Sequence, residues 1–156
     1  MARDNTDVIA PILEKMLAPT PRWALLPAVV VRLVSGAIFL AFGLSKFSHH
    51  GREARAFARY GLPEPGTFVY ATGTLELTLG LALLLGLLTR PVALGLAGNM
   101  IGAIATGGRV DGGFVNLVLA PILLVSMAFL VYVGAGRWSL DGRIRRSAPR
   151  LRLALR

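Results

Sequence analysis

This chain of 156 residues is unusually apolar and basic. Residues of the hydrophobic set make up 54% of it and charged residues only 16%, against about 25% charged in an ordinary soluble domain. Its 17 Lys and Arg against 8 Asp and Glu give a formal net charge of +9, and the mean hydropathy is +0.64. The chain contains no cysteine, which excludes disulfides, Fe–S clusters and cysteine-based zinc sites within it. An apolar and basic chain of this kind indicates a membrane partner rather than a nucleic acid.

The first 22 residues predict an amphipathic leader. Apolar residues between Val8 and Leu17 recur at helical spacing behind a Thr6 or Asp7 N-cap, and Pro19 and Pro21 end the pattern. A helix of this kind lies along the cytoplasmic membrane surface. The alternative is that it docks on a partner protein.

Four stretches with almost no charge follow, at residues 25–47, 68–89, 91–108 and 114–136. A helix needs about 17–25 apolar residues to cross a bilayer, and each stretch meets that length. Their apolar runs are continuous rather than alternating, which excludes barrel strands. The predicted fold is therefore an all-α integral membrane four-helix bundle over residues 23–136, followed by a basic tail at residues 137–156.

The basic residues that flank the spans predict the orientation. The leader, the connection at Arg90 and the tail carry eleven Lys or Arg, whereas the other side carries five, four in its two connections and Lys46 at the outer end of the first span. Basic flanks favour the cytoplasmic side, so both termini are expected in the cytoplasm of a bacterial-type inner membrane. The arginine-rich tail is expected to contact anionic lipids, or less simply an acidic partner subunit, and no nucleic-acid partner is expected.

Three ionisable residues lie at membrane depth and are the candidate site. Glu76 lies about 12 Å below the outer boundary, Arg32 about 10 Å in from the cytoplasmic boundary, and Lys46 at the outer end of the first span. The first two spans are expected to be antiparallel neighbours, so we expect these residues to form one cluster lining the bundle. One interpretation is a catalytic, proton-handling pocket; the other is an ion pair that fixes helix register.

Uncharged polar and small residues complete the spans. Asn99 is the candidate cofactor-binding residue, although hydrogen bonds between helices are the favoured interpretation of Asn99, Thr106, Asn116 and Ser126. Gly98-x-x-x-Gly102 predicts a close helix–helix contact, and Pro121 predicts a kink in the fourth span.

Several cofactors do not fit the pattern. Two-haem cytochromes need axial histidines within spans, and none of the predicted spans contains one. The adjacent His49 and His50 point to different sides of a helix and make a poor metal pair, so no metal site is expected. No glycine-rich phosphate loop follows a strand. Any redox group would therefore come from elsewhere.

The spans resemble those of the DoxX family of membrane proteins. The resemblance rests on residues 32–46 (RLVSGAIFLAFGLSK), on Glu76-Leu-Thr-Leu-Gly80 running into Leu85-Gly-Leu-Leu-Thr-Arg90, and on the closing Gly136-Arg-Trp-Ser-Leu-Asp141. It covers residues 27–141 and implies a four-helix membrane protein. Members of the family are linked to quinone-reducing oxidoreductase complexes as membrane subunits, and many have no assigned activity.

Two functions follow as expectations. The first is a membrane subunit of an oxidoreductase that docks a quinone in the bundle, with electrons from a partner subunit and Glu76, Arg32 and Lys46 handling protons. The second is a non-catalytic accessory or assembly subunit packed against a larger membrane complex. Solute transport ranks last, because four spans with one central carboxylate would need an oligomer to form a pathway.

Overall fold

A computed structural model describes residues 20–143 of the chain, and the described part is helical without strands. Four helical stretches are long and apolar enough to cross a membrane: Arg22–Ser48, Pro65–Leu85, Thr89–Val110 and Val115–Val133. The predicted all-α four-helix membrane bundle is confirmed. The amphipathic leader up to residue 19 and the basic tail beyond residue 143 lie outside the described residues.

Six α-helices have both ends within the described residues, and a further helical turn begins at Leu140. The six are α1 (Leu25–Ser48), α2 (His50–Arg59), α3 (Pro65–Leu85), α4 (Thr89–Ala105), α5 (Gly107–Val110) and α6 (Ala120–Val133). A 3-10 turn at Arg22–Ala24 precedes α1, and a π-helical turn at Val115–Leu119 precedes α6. The long helices α1, α3, α4 and α6 span, whereas α2 and α5 are short connecting helices at one end of the bundle.

Glycines in left-handed conformations end two of the spans earlier than the charge-free stretches suggest. Gly86, with φ +66°, ends α3 at Leu85, where Leu87 N–H bonds to Ala82 O and Gly86 N–H to Leu83 O. These two bonds form a Schellman motif, the usual glycine-terminated helix end. Gly134, with φ +88°, ends α6 at Val133. The segment from Gly134 onward therefore lies outside the spanning helix.

The four spans pack in a ring of α1, α3, α4 and α6, with the closest contact between the antiparallel helices α1 and α3. Two glycines on each helix, at i, i+7 spacing, make this contact close: Gly36 and Gly43 on α1, Gly73 and Gly80 on α3. A Cβ at Gly80 would lie 3.1 Å from Phe39 Cβ and 3.3 Å from Gly36 O. The backbones therefore approach as they do in small-residue membrane interfaces.

The contact predicted at Gly98-x-x-x-Gly102 is wrong within this chain. Among residues 20–143, a Cβ at Gly98 or Gly102 would meet nothing within 4 Å. The pattern identifies small residues but not the side of the helix that faces a neighbour. On α4 the buried side carries Leu96 and Met100 instead.

The core lies between α4 and α6 and reaches the inner sides of α1 and α3. Fully or almost fully buried members include Phe39, Leu83, Leu96, Met100, Leu123, Met127 and Leu130. Large apolar side chains such as Leu94 (64% exposed) and Val125 (69% exposed) cover the outside of the same helices. A surface of this composition is stable against hydrocarbon and not against water.

Pro121 is accommodated by a π-helical turn. A proline ring within a helix clashes with the carbonyl four residues earlier, here that of Leu117. The wider turn at Val115–Leu119 directly precedes α6, and Pro121 lies in the first turn of that helix. The irregularity expected at Pro121 thus takes the form of one wide turn in the backbone.

Candidate functional site

A buried carboxylate with two partners lies between three spans. Glu76 of α3 is 3% exposed, and its Oε2 lies 2.6 Å from Lys46 Nζ of α1. Asn99 of α4 donates from Nδ2 to Glu76 Oε1 at 2.9 Å. Three of the four candidate residues are therefore in contact, and both carboxylate oxygens have a donor. We call Lys46, Glu76 and Asn99 the Glu76 cluster.

Helix register brings the cluster together. Lys46 lies in the last turn of α1, and its Cβ would be 3.1 Å from a Cβ at Gly73. Gly73 lies one turn from Glu76, so the missing side chain there lets the lysine stem lie along α3 towards the carboxylate. On α4, Gly95 packs against Leu79 of α3, and one turn further Asn99 reaches Glu76. The antiparallel register of α3 and α4 thus aligns the two residues.

The cluster neutralises its own charge. Transfer of a lone carboxylate to a low-dielectric interior costs several kcal/mol, and a hydrogen-bonded cation offsets much of that cost. The Lys46 side chain is 13% exposed, and its ammonium also lies 5.9 Å from the centre of the Phe42 ring. An ammonium has three N–H donors, and Lys46 donates one of them to Glu76. The remaining donors can bind a ligand oxygen.

Arg32 is not part of the cluster, which corrects the expectation of one Arg32–Lys46–Glu76 group. It lies 14 residues before Lys46 on the same helix, or about 21 Å along the axis. Its guanidinium is buried at the opposite end of the bundle, where Nη2 donates to Trp138 O at 3.3 Å. The Nε and Nη1 atoms have no hydrogen-bond partner among the described residues. Snorkelling towards the near end of the bundle accounts for this placement.

The segment after α6 folds back on that end of the bundle. Asp141 accepts hydrogen bonds from the backbone N–H groups of Leu88, at 2.7 Å, and Thr89, at 2.9 Å. Its own N–H donates to Gly86 O at 3.0 Å, and Gly142 N–H donates to Ser139 Oγ at 3.1 Å. We call residues 136–142 the terminal clasp. Ser139 thus caps its helical turn, whereas the role of Asp141 was not predicted from the sequence.

Gly136 shows why the clasp needs its first residue to be small. With φ +74°, it lies in the left-handed region, and a Cβ there would be 2.8 Å from Leu25 O and 3.0 Å from Ala28 Cβ. Its N–H donates to Thr20 Oγ1 at 3.0 Å. The DoxX-like string Gly136–Asp141 therefore connects the chain after α6 to the start of α1. In the sequence, the resemblance of this string to the family was the one sign that the segment has a structural role.

A second polar group, also missed from the sequence, holds the loop end of the bundle. Arg59 at the end of α2 donates to both carboxylate oxygens of Asp111, at 3.1 and 2.7 Å, and Tyr60 Oη donates to Oδ2 at 2.8 Å. These bonds lower the pKa of Asp111 below its usual value. Burial, followed by the bond to Asp111, raises the pKa of Tyr60. Asp111 is thus charged wherever this contact is formed near neutral pH.

His50 has a packing role. Its Nε2 lies 3.2 Å from Gly66 O, and its ring stacks on Tyr70 with centroids 4.2 Å apart. His49 instead contacts Ser48 Oγ through Nδ1 at 3.0 Å. The two neighbouring rings therefore have different partners.

Comparison with known proteins identifies the family to which the chain is similar. The sequence profile of the DoxX family matches residues 27–109, which is more than half of the chain and includes the whole Glu76 cluster. The resemblance inferred from the spans is confirmed. The matched range ends before the terminal clasp.

Two curated relatives are similar over most of their length. The uncharacterised membrane protein Rv3486 of Mycobacterium tuberculosis is 35% identical over 137 residues, covering 78% of this chain and 84% of the relative. CatD of Bacillus subtilis, named provisionally as an oxidoreductase, is 32% identical over 114 residues, covering 72% of this chain and 83% of the relative. No solved structure matches the chain significantly.

Proposed function

This chain belongs to the DoxX family of membrane proteins, and on that premise we propose that it is the membrane subunit of an oxidoreductase that docks a quinone. A partner subunit supplies the electrons. The observation that carries the proposal is the buried contact of Glu76 with Lys46 and Asn99 inside the spanning region. Ionisable groups at that depth are costly, and in membrane proteins they mark proton or ligand sites. The provisional name of CatD agrees with this class of reaction.

Quinone chemistry explains the need for a protonatable pair. Reduction of one quinone to the quinol takes two electrons and two protons. The electrons come from the redox group of the partner subunit, and the protons reach the ring oxygens from this chain. Lys46 donates a hydrogen bond to a ring oxygen, and the Glu76–Lys46 pair passes protons to it one at a time from the loop end of the bundle. Asn99 orients the carboxylate through its bond to Oε1.

The surface of α4 beside the cluster is open to a lipophilic ring. Gly98 precedes Asn99 and Gly102 lies one turn after it, and in the described part of the chain neither has a neighbour within 4 Å of where a Cβ would lie. Both glycines are exposed, whereas Asn99 is half-buried. A quinone dissolved in the bilayer therefore approaches Asn99 across bare backbone. This arrangement suits a lipid-soluble substrate better than a water-soluble one.

The test replaces Glu76 in the complex that co-purifies with the tagged full chain from gently solubilised membranes. Glu76→Gln keeps the shape and removes the ionisable group, so we expect quinone reduction to fall by at least about tenfold, within the usual range for loss of an acid–base group. Glu53→Gln, at a surface glutamate paired with Arg52, is the matched control. Menadione reduction and the quinone extracted per complex are measured. Unchanged reduction together with unchanged quinone content contradicts the proposal.

A second candidate function is a non-catalytic accessory subunit packed against a larger membrane complex. The observation in its favour is that both carboxylate oxygens of Glu76 are already bonded, one to α1 and one to α4. A closed ion pair of this kind fixes register between helices without any reaction. This function predicts a stoichiometric complex that keeps its activity with Glu76→Gln and also after deletion of the chain.

We propose that both termini lie on the cytoplasmic side of the inner membrane, where the basic tail contacts anionic lipid. The eleven-to-five distribution of Lys and Arg supports this orientation. Because the chain has no cysteine, single cysteines report sidedness directly. Ala58→Cys in α2 should react with an impermeant maleimide in intact cells, whereas a cysteine appended after residue 156 should react only after lysis. The reverse pattern contradicts the orientation.

A further inference from the structure

An apolar groove lies on the outside of the bundle, away from the Glu76 cluster. It has a volume of about 450 Å³ and is lined by Ile101, Ile104, Ala105, Gly108, Arg109, Leu117 and Leu124. Ile101 is 56% and Leu117 57% exposed, so the groove opens on the surface that faces lipid. Its walls are the second half of α4, the short helix α5, and the start of the fourth span.

The groove exists because of two local features. On one side Ala105 and Gly108 carry little or no side chain, and a Cβ at Gly108 would approach Leu117 Cδ2 only to 3.6 Å. On the other side the π-helical turn at Val115–Leu119 widens the backbone before α6 begins. Wide turns of this kind recur at functional sites in helices. In a bilayer such a groove is filled, because an empty apolar surface forfeits its dispersion contacts.

The groove has one charged residue, and it lies at the end of a span. Arg109 precedes Val110, the last residue of the spanning stretch Thr89–Val110, and its side chain is exposed. Among the described residues Arg109 forms no ion pair, because the neighbouring Asp111 is engaged by Arg59 and Tyr60. The site thus combines an apolar channel within the membrane and an available cation at headgroup depth.

The position of the charge indicates the occupant. On a helical wheel Asn99 and the groove residue Ile104 lie about 140° apart on α4, and Asn99 is on the side that contacts Glu76 of α3. A ligand that needed Glu76 would therefore not bind here. An amphiphile with an apolar tail and an anionic head matches both parts of the groove.

We propose that this groove binds one acyl chain of an anionic phospholipid, with the phosphate held by Arg109. The guanidinium offers a planar set of donors that fits phosphate oxygens. A basic residue near the membrane surface contributes about 1 kcal/mol to binding of an anionic lipid, which corresponds to roughly a fivefold preference over a zwitterionic one.

The test is native mass spectrometry of the purified full chain, titrated with palmitoyl-oleoyl phosphatidylglycerol or the matching phosphatidylcholine. Wild type should bind one phosphatidylglycerol about fivefold more tightly than phosphatidylcholine. Arg109→Gln should abolish the preference while the chain still binds either lipid. Arg55→Gln, an exposed arginine on α2 outside the groove, should leave the preference intact. Equal binding of both lipids to wild type, or an equal loss in Arg55→Gln, overturns the proposal.

A second pair of variants tests the groove itself. Ala105→Phe fills it and should remove the bound phosphatidylglycerol, whereas Val125→Phe adds the same ring elsewhere on the lipid-facing surface and should not. Two further results would overturn the assignment. Displacement of phosphatidylglycerol by ubiquinone-10 would make the groove a quinone-tail site. Loss of a dimer mass in Ala105→Phe would make it an interface between two copies of the chain.

Discussion

The carboxylate of Asp141 caps helix α4 at Thr89, 52 residues earlier in the chain. Its other oxygen accepts the N–H of Leu88, so the two oxygens satisfy two of the free backbone donors at the start of that helix. A carboxylate also interacts favourably with the positive end of the helix dipole. Leu88 itself has a φ of +47°, an uncommon conformation for leucine. The cap is therefore tied to a strained turn that it holds in place.

Removal of this cap should destabilise the bundle. We expect Asp141→Ala to lower the free energy of unfolding by about 1–2 kcal/mol. Asp141→Asn should cost a similar amount, about 1 kcal/mol or more, because it loses the charge and replaces one of the two acceptor oxygens by an NH2 donor that faces a backbone N–H. The measurement is SDS-induced unfolding in mixed micelles. Thr78→Ala is the control, since Thr78 is exposed and, within the described range, its hydroxyl bonds only to Thr74 O of its own helix. Equal effects of Asp141→Ala and Thr78→Ala would contradict the role of the cap.

Removing one partner of the Lys46–Glu76 pair should lower the free energy of unfolding more than replacing both partners by apolar residues. Lys46→Met leaves a buried carboxylate bonded to Asn99 alone, and we expect a loss of roughly 3–5 kcal/mol. In Lys46→Met/Glu76→Leu both charges are gone, and stability should recover most of that loss because no buried charge remains unpaired. The double-mutant cycle is measured by the same unfolding assay. Additive losses in the double variant would show that the pair is not coupled.

Substitutions of two glycines by alanine should change the stability of the bundle differently. In Gly80→Ala the new methyl meets Gly36 O and Leu40 N at 3.3 Å, and backbone atoms cannot move aside. We expect a loss of about 1–3 kcal/mol. Gly98→Ala has open space and should be neutral or gain about 0.4–1 kcal/mol through the entropy of the unfolded chain. A loss in Gly98→Ala comparable to that in Gly80→Ala would mean that another molecule packs against α4.

The contact of Asp111 with Arg59 and Tyr60 should depend on pH in one direction. Its pKa is lowered in the folded chain, so the contact adds stability above the ordinary carboxyl pKa of 3.8 and loses it as the pH falls towards the lowered value. Hydrogen exchange of the α2 backbone should therefore be constant from pH 7 to pH 5, after correction for intrinsic rates, and should rise below about pH 4. Asp111→Asn should exchange faster at pH 7 and lack that transition. A transition of equal size in Asp111→Asn would assign it to another group.

The sequence predicted the bundle and most of the candidate site for physical reasons that act locally. Charge-free length alone locates a span, and a carboxylate in a span must find a donor, so Glu76, Lys46 and Asn99 were identifiable. Arg32 was wrongly grouped with Lys46 and Glu76, because a long side chain at that depth can extend in either direction, and it extends towards its own end of the bundle. Gly98 and Gly102 were misassigned because spacing does not tell which side of a helix meets a neighbour. The capping role of Asp141 could not be predicted, because its partners are backbone N–H groups more than 50 residues earlier in the chain.

The terminal clasp also constrains the order of biogenesis. The N–H groups that open α4 are bonded by Asp141, and the guanidinium of Arg32 on α1 is bonded by the Trp138 carbonyl. Both groups belong to helices that enter the membrane long before residues 138–141 leave the ribosome. During that interval the first and third spans must be held with these polar groups unsatisfied or shielded by the insertion machinery. The bundle is therefore closed only when residues 138–141, and not merely the last span, are in place.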